Sequence, residues 1–222
     1  MRLLKSAVLG ISLSVLAGMA SASIDSPVAG KEYRVLPAPQ IVESKGKVEV
    51  VEFFWYSCPH CNAFDPYLAG WVKAQGSNIV FKRVPVAFRP GDENQQKLYY
   101  ALEAMGKNEQ LHSKIFYAIH VDHQHLDTEA AIADFVASNG VNRDAFLNAF
   151  RSFPVSTKSQ QATQMAHAYE LDGVPLVAVN GHYETSPSIA GAELGDQPET
   201  TYFSSTLKVL DFLVAKAAKE KH

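Results

Sequence analysis

Cysteine is almost missing from this chain, which holds two in 222 residues. A zinc site built on them would need two further ligands and normally a second such pair, and the sequence has no second pair. Beyond the first two dozen residues there is also no apolar run long enough to span a bilayer. An excess of positive charge is absent too: 20 Lys and Arg stand against 23 Asp and Glu, for a formal net charge of −3. That balance weighs against nucleic acid as a partner. What remains, 47% hydrophobic and 19% charged residues, is the composition of a globular protein with a sizeable core, in one large or two small domains.

Residues 1–22 read differently from the rest. Arg2 and Lys5 precede an apolar run from Ala7 to Ala17, and Ala20-Ser21-Ala22 follows. This is the pattern of a secretory signal peptide cleaved before Ser23. Its removal leaves 18 basic residues against 23 acidic ones, a net charge of −5, and export places the mature, soluble chain where a disulfide can persist.

Both cysteines arrive at the end of one stretch, Val48-Glu49-Val50-Val51-Glu52-Phe53-Phe54-Trp55-Tyr56-Ser57-Cys58-Pro59-His60-Cys61. The first half is a nearly unbroken apolar strand of the kind buried on both faces. After Cys61 the apolar residues Phe64, Tyr67, Leu68, Trp71 and Val72 recur at helical spacing, so the pair sits where a strand passes into a helix. Ser57 is the expected N-cap, and Pro59 falls in the first turn, where its missing N–H costs nothing.

The free N–H groups and positive dipole end of a helix N-terminus favour an anion. Cys58 is therefore expected to be a stabilised thiolate, with Cys61 one turn deeper on the same face and shielded. His60 adds an imidazolium charge or a donated hydrogen bond to the Cys58 sulfur. Such a thiolate is a good leaving group, and good leaving groups make oxidising disulfides. An inert structural disulfide is the bland alternative, and one closing so small a loop would stabilise little.

The remaining chain alternates in period. Tyr33 to Leu36 reads as a short edge strand, and Asn78 to Val86 as the strand completing a βαβ unit. Glu52 and Lys82 interrupt their apolar runs. A carboxylate such as Glu52 is costly there unless paired, and burial would raise its pKa. The alternative for both is a strand residue facing solvent.

From Pro90 to about Tyr169 the apolar residues fall at helical spacings, broken at Gly106, at Asn139-Gly140 and at Pro154, which predicts four or five helices. Tyr99, Tyr100, Phe116, Tyr117 and Phe146 are assigned to their core. His120-Val121-Asp122-His123-Gln124-His125 is read as a solvated loop rather than a metal site. Leu176 to Val179 and His182 to Thr185 flank Asn180-Gly181, a strong hairpin signal. A turn-rich stretch, Ser186 to Glu199, leads to a last helix with Phe203, Leu207, Leu210 and Val214 on one face. The fold class is therefore α/β: a thioredoxin-like fold with an inserted all-helical domain. Its predicted parts are residues 23–89, the helical insert 90–168, and residues 169–222, with helices on both faces of a mixed sheet.

Phe53-Phe54, Cys58-Pro59-His60-Cys61 and Gly173-Val174-Pro175 together resemble the DsbA family of periplasmic thiol:disulfide oxidoreductases. The likeness runs over essentially the whole chain after the signal peptide. It implies a periplasmic enzyme without cofactor or metal that donates its Cys58–Cys61 disulfide to newly exported, unfolded, cysteine-containing proteins. A DsbB-like membrane quinone reductase would reoxidise it. The resemblance matches Glu52 and Lys82 to a buried acid–base pair beneath the active site, where the acid helps move the proton of the inner cysteine. It also matches Pro175 to a cis-proline facing the cysteines, with the Val174 backbone turned to pair with an extended peptide. Alternatives are a disulfide reductase or isomerase, although no segment reads as a dimerisation domain and a monomer is expected, and a noncatalytic peptide-binding chaperone.

Overall fold

Seven successive buried residues, Val48–Phe54, form the strand on which the fold is built, β2, which follows the two-residue strand β1 (Arg34–Val35). The structure is a computed structural model and describes residues 26–44 and 46–220. The signal peptide expected over residues 1–22 lies outside the described residues. From β2 the chain enters α1 (Pro59–Gln75) and returns through β3 (Ile79–Pro85), parallel to β2. Five helices follow: α2 (Glu93–Ala104), α3 (Asn108–His120), α4 (Glu129–Ser138), α5 (Arg143–Phe150) and α6 (Phe153–Ala168). The hairpin β4 (Leu176–Val179) and β5 (Tyr183–Thr185), a short helix α7 (Pro187–Ala190) and the long α8 (Glu199–Glu220) complete the order.

The five strands form one mixed sheet in the order β1-β5-β4-β2-β3, in which only β2 and β3 run parallel. Strand alternation divides the core between the two faces. Val48 and Val50 pack with Phe64, Leu68, Phe203 and Leu213 from α1 and α8. Val51 and Phe53 belong to the larger cluster with Leu98, Leu102, Ile115, Ile132 and Phe146 from the helical block.

Local sequence signals fix most boundaries. Thr128, Asn142 and Ser152 cap α4, α5 and α6 through side-chain oxygens that accept from the third residue on. Gly106 and Gly140 take the positive φ that ends α2 and α4. Pro154 starts α6 rather than ending α5. In the hairpin, Asn180 (φ 53°) and Gly181 (φ 65°) make the turn that matches strand twist.

Three expectations need correction. Tyr117 is 57% exposed and is not part of the core, because on α3 it lies about 100° round the helix from the buried Phe116. The short helix α7 interrupts the stretch read as turns, capped by Ser186. On α8, Leu207 is only half-buried, and Val209 and Leu213 complete the apolar face instead. No helix among the described residues is long and apolar enough to cross a membrane.

Candidate active site

The chain leaves β2 through Trp55-Tyr56-Ser57 and begins α1 at Pro59, so the N-cap is Cys58 and not Ser57. Its backbone is extended (φ −83°, ψ 117°), and its sulfur accepts from the Cys61 N–H at 3.3 Å. A sulfur thus sits where a capping oxygen usually does, and the unpaired N–H groups of the first turn converge on it. Ser57 turns the other way, and its Oγ accepts from Gln95 Nε2 on α2 at 2.7 Å.

Both cysteines are free thiols, which makes this the reduced state. Their environments differ sharply. A hydrogen bond from the Cys61 thiol is the main influence lowering the Cys58 pKa; partial burial opposes it. The backbone N–H groups of Cys61 and His60 and the His60 charge add to the lowering, which takes the group from 9.0 to about 6. Cys61 moves the other way. It has no exposed surface, and burial, reinforced by its bond to Cys58 and the charge on that sulfur, pushes its thiol well above the ordinary value.

His60 does not aim its ring at the sulfur. Its Nδ1 lies 2.8 Å from Glu199 Oε1, at the start of α8. The Val174–Pro175 bond is cis, and the Cys58 thiol donates to the Val174 carbonyl at 3.5 Å. A groove of about 720 Å³ opens beside them, lined among others by His60, Val174, Pro175, Ile189, Glu199 and Tyr202.

Beneath the cysteines lies the acid that the sequence singles out. Glu52 is 1% exposed, and burial raises its pKa, an effect that the nearby Arg83 charge opposes. Its partner is not Lys82. Arg83 Nε donates to Glu52 Oε2 at 2.8 Å, and Arg83 NH2 donates to Asp65 Oδ1 at 2.9 Å. The register sets Arg83 opposite Glu52 and Lys82 opposite Val51, so the two neighbouring cations point to opposite faces of the sheet. Lys82 Nζ instead meets Glu43 at 2.6 Å and Glu49 at 2.9 Å, near the surface.

The charged cluster continues past Arg83. His112 Nε2 is 3.1 Å from Asp65 Oδ1, and its Nδ1 is 2.9 Å from the Tyr56 hydroxyl. A carboxylate only accepts, so Nε2 carries the proton, and in the neutral ring Nδ1 accepts from Tyr56. Asp65, burial notwithstanding, is held below the usual carboxylate range by His112 and Arg83. None of Arg83, Asp65 or His112 was singled out from the sequence. The signal available was Asp65, four residues after Cys61 and therefore on its buried face of α1.

His120 ends α3, and its Nε2 donates to the Tyr56 carbonyl at 2.8 Å. Among the described residues, no group of three or more His, Cys, Asp or Glu is placed to hold a metal ion.

With that geometry in view, the comparisons with known proteins are informative. The family described as the DSBA-like thioredoxin domain matches residues 49–202. The chain belongs to this family. It is 44% identical over 212 residues to the thiol:disulfide interchange protein DsbA of Burkholderia cepacia, covering 95% of each chain. Among solved structures it is similar to Pseudomonas aeruginosa DsbA, with a TM-score of 0.80 at 36% identity over 90% of this chain and 99% of the other. The oxidoreductase DsbA from Xylella fastidiosa aligns with a TM-score of 0.76 at 30% identity, over 86% of this chain and 97% of that one. The protein is therefore a protein-disulfide oxidoreductase with a thioredoxin-like α/β fold and a helical insertion between β3 and β4.

Proposed function

We propose that the protein acts as an oxidant, giving its Cys58–Cys61 disulfide to cysteine-containing polypeptides that are still unfolded after export. The observation that carries this direction is the split acidity of the pair. With Cys58 at about 6 and Cys61 held well above 9.0, the reduced state stores its charge on the sulfur that must leave last. A stabilised leaving thiolate drives transfer away from the protein.

A substrate thiolate attacks Cys58 Sγ, the disulfide breaks, and its electron pair passes to Cys61. Glu52, kept protonated more readily by burial, supplies a proton toward Cys61, with Arg83 rather than Lys82 as its charged partner. A second substrate cysteine then attacks the substrate sulfur of the mixed disulfide, expelling Cys58 as thiolate and completing a substrate disulfide. The groove beside Val174 and Pro175 takes the substrate as an extended strand, paired through the Val174 backbone. Pro59 opens the helix that presents Cys58, and His60 contributes charge beside it. Residues 90–168 form the inserted domain, and signal-peptide cleavage after Ala22 releases the mature protein, a monomer, into the periplasm. No cofactor is needed, and a DsbB-like membrane quinone reductase restores the disulfide.

Oxidation of a reduced, unfolded test protein by the wild type and by Cys58→Ser is the test. The proposal requires catalysis by the wild type and none by the variant. Retained activity in Cys58→Ser would point to a noncatalytic chaperone, and repair of scrambled disulfides without net oxidation would point to an isomerase.

A further inference from the structure

In the oxidised state the attacking sulfur comes from the substrate, and an ordinary cysteine with a pKa of about 8.5 is mostly protonated at neutral pH. Its proton has to go somewhere in the groove. Cys58 and Cys61 are joined to one another at that moment and carry no free lone-pair base of use. Three other charged groups line the same groove: Arg34 from β1, Asp172 from the loop before Val174, and Glu199 from α8. Arg34 and Asp172 face each other at 3.7 Å, and an arginine does not take up a proton. Glu199 is occupied by His60 Nδ1 at 2.8 Å. His60 itself is left, with a side chain 70% exposed two residues after Cys58.

The Glu199 contact decides which imidazole nitrogen is basic. An ionised carboxylate accepts hydrogen bonds and never donates, so Nδ1 carries the proton, and the neutral ring presents Nε2 as a bare lone pair. Carboxylate, imidazole and a neighbouring sulfur then stand in the order of an orienter, a base and a nucleophile. We propose that Glu199 and His60 form a dyad that removes the proton from the substrate thiol as it attacks Cys58.

This inference rests on the oxidant reading above. In the step, the substrate S–H proton passes to His60 Nε2 and its electron pair forms the bond to Cys58 Sγ. The Cys58–Cys61 bond breaks and its pair goes to Cys61. The substrate is oxidised to the mixed-disulfide level and Cys61 is reduced; His60 then returns its proton to solvent. His60 touches the reacting thiol, whereas Glu199 acts through His60 as a positioning residue.

The test compares two thiols with oxidised protein at pH 7: a short cysteine peptide, largely un-ionised there, and thionitrobenzoate, already ionised. A positioned base helps only the first. Glu199→Ala is expected to lower the rate ratio of peptide to thionitrobenzoate by roughly tenfold, below the ~10²–10⁴ of a complete general base because the imidazole stays in place. Glu199→Gln keeps an acceptor for Nδ1 and should fall between the two. Nitrogen NMR of His60 provides a readout independent of rate: a Nδ1–H tautomer in the wild type, giving way to Nε2–H in Glu199→Ala. An unchanged rate ratio in both variants, or an unchanged tautomer, would overturn the dyad while leaving the oxidant reading intact. A wild type that oxidises neither thiol would overturn both.

Discussion

Reducing the protein should change its stability by an amount that depends on pH. Cys58 titrates at about 6 in the folded chain against 9.0 for an unperturbed group. That difference is worth about 1.4 kcal/mol at pH 7 and about 4 kcal/mol above pH 9. Solvent reaches the edge of this sulfur, and allowing for its screening leaves about 1 and about 2–3 kcal/mol. The folded pKa is the depressed one, so the contribution is complete above 9.0 and disappears as pH falls through about 6. Cys61 sets the upper limit: its folded pKa is raised, so its contribution is present below 9.0 and is lost at higher pH.

Against this, the disulfide closes a loop of four residues, which on the chain-entropy relation favours the oxidised form by about 2 kcal/mol at every pH. The oxidised form should therefore be the more stable at pH 5. The reduced form should gain about 2–3 kcal/mol on it between roughly pH 5 and 9 and draw level or pass it near the top of that window. Urea denaturation of both redox forms at three pH values measures the gap, and titrations common to both forms cancel in it. A gap that does not move with pH would refute the claim that folding stabilises the Cys58 thiolate.

Arg83→Ala leaves the buried Glu52 and Asp65 without their cation and should cost about 3–5 kcal/mol in urea denaturation, whereas Lys82→Ala should cost no more than about 1. His60→Ala removes the smallest of the influences on Cys58, so the thiolate absorbance should titrate at higher pH and the reduction potential should fall by no more than about 30 mV. Gly181→Ala would put a Cβ 2.4 Å from the Gln40 carbonyl oxygen at a φ of +65°. It should destabilise by about 1–3 kcal/mol without changing the acidity of Cys58.

How much of this was legible in the sequence follows from the range of each interaction. Strand β2, the start of α1, the hairpin at Asn180-Gly181 and the caps of α4 and α5 are set by neighbours within a few residues, and each stood in the pattern. The cap moved from Ser57 to Cys58 because both residues suit the position and only the backbone angles choose. Glu52 was visible as a charge within a buried strand, but its partner depended on the register of β3 against β2. A one-residue shift exchanges Lys82 for Arg83, and composition does not determine it. His60 was visible in the motif; Glu199, 139 residues away, was not, since nothing local brings the start of α8 to the start of α1.

The pH dependence of alkylation, followed separately at Cys58 and Cys61 in the reduced protein, tests the central claim most directly. The account predicts that Cys58 reacts with a half-maximal rate near pH 6, while the wholly buried Cys61 stays slow throughout. Two cysteines reacting alike, with midpoints near 9.0, would contradict it.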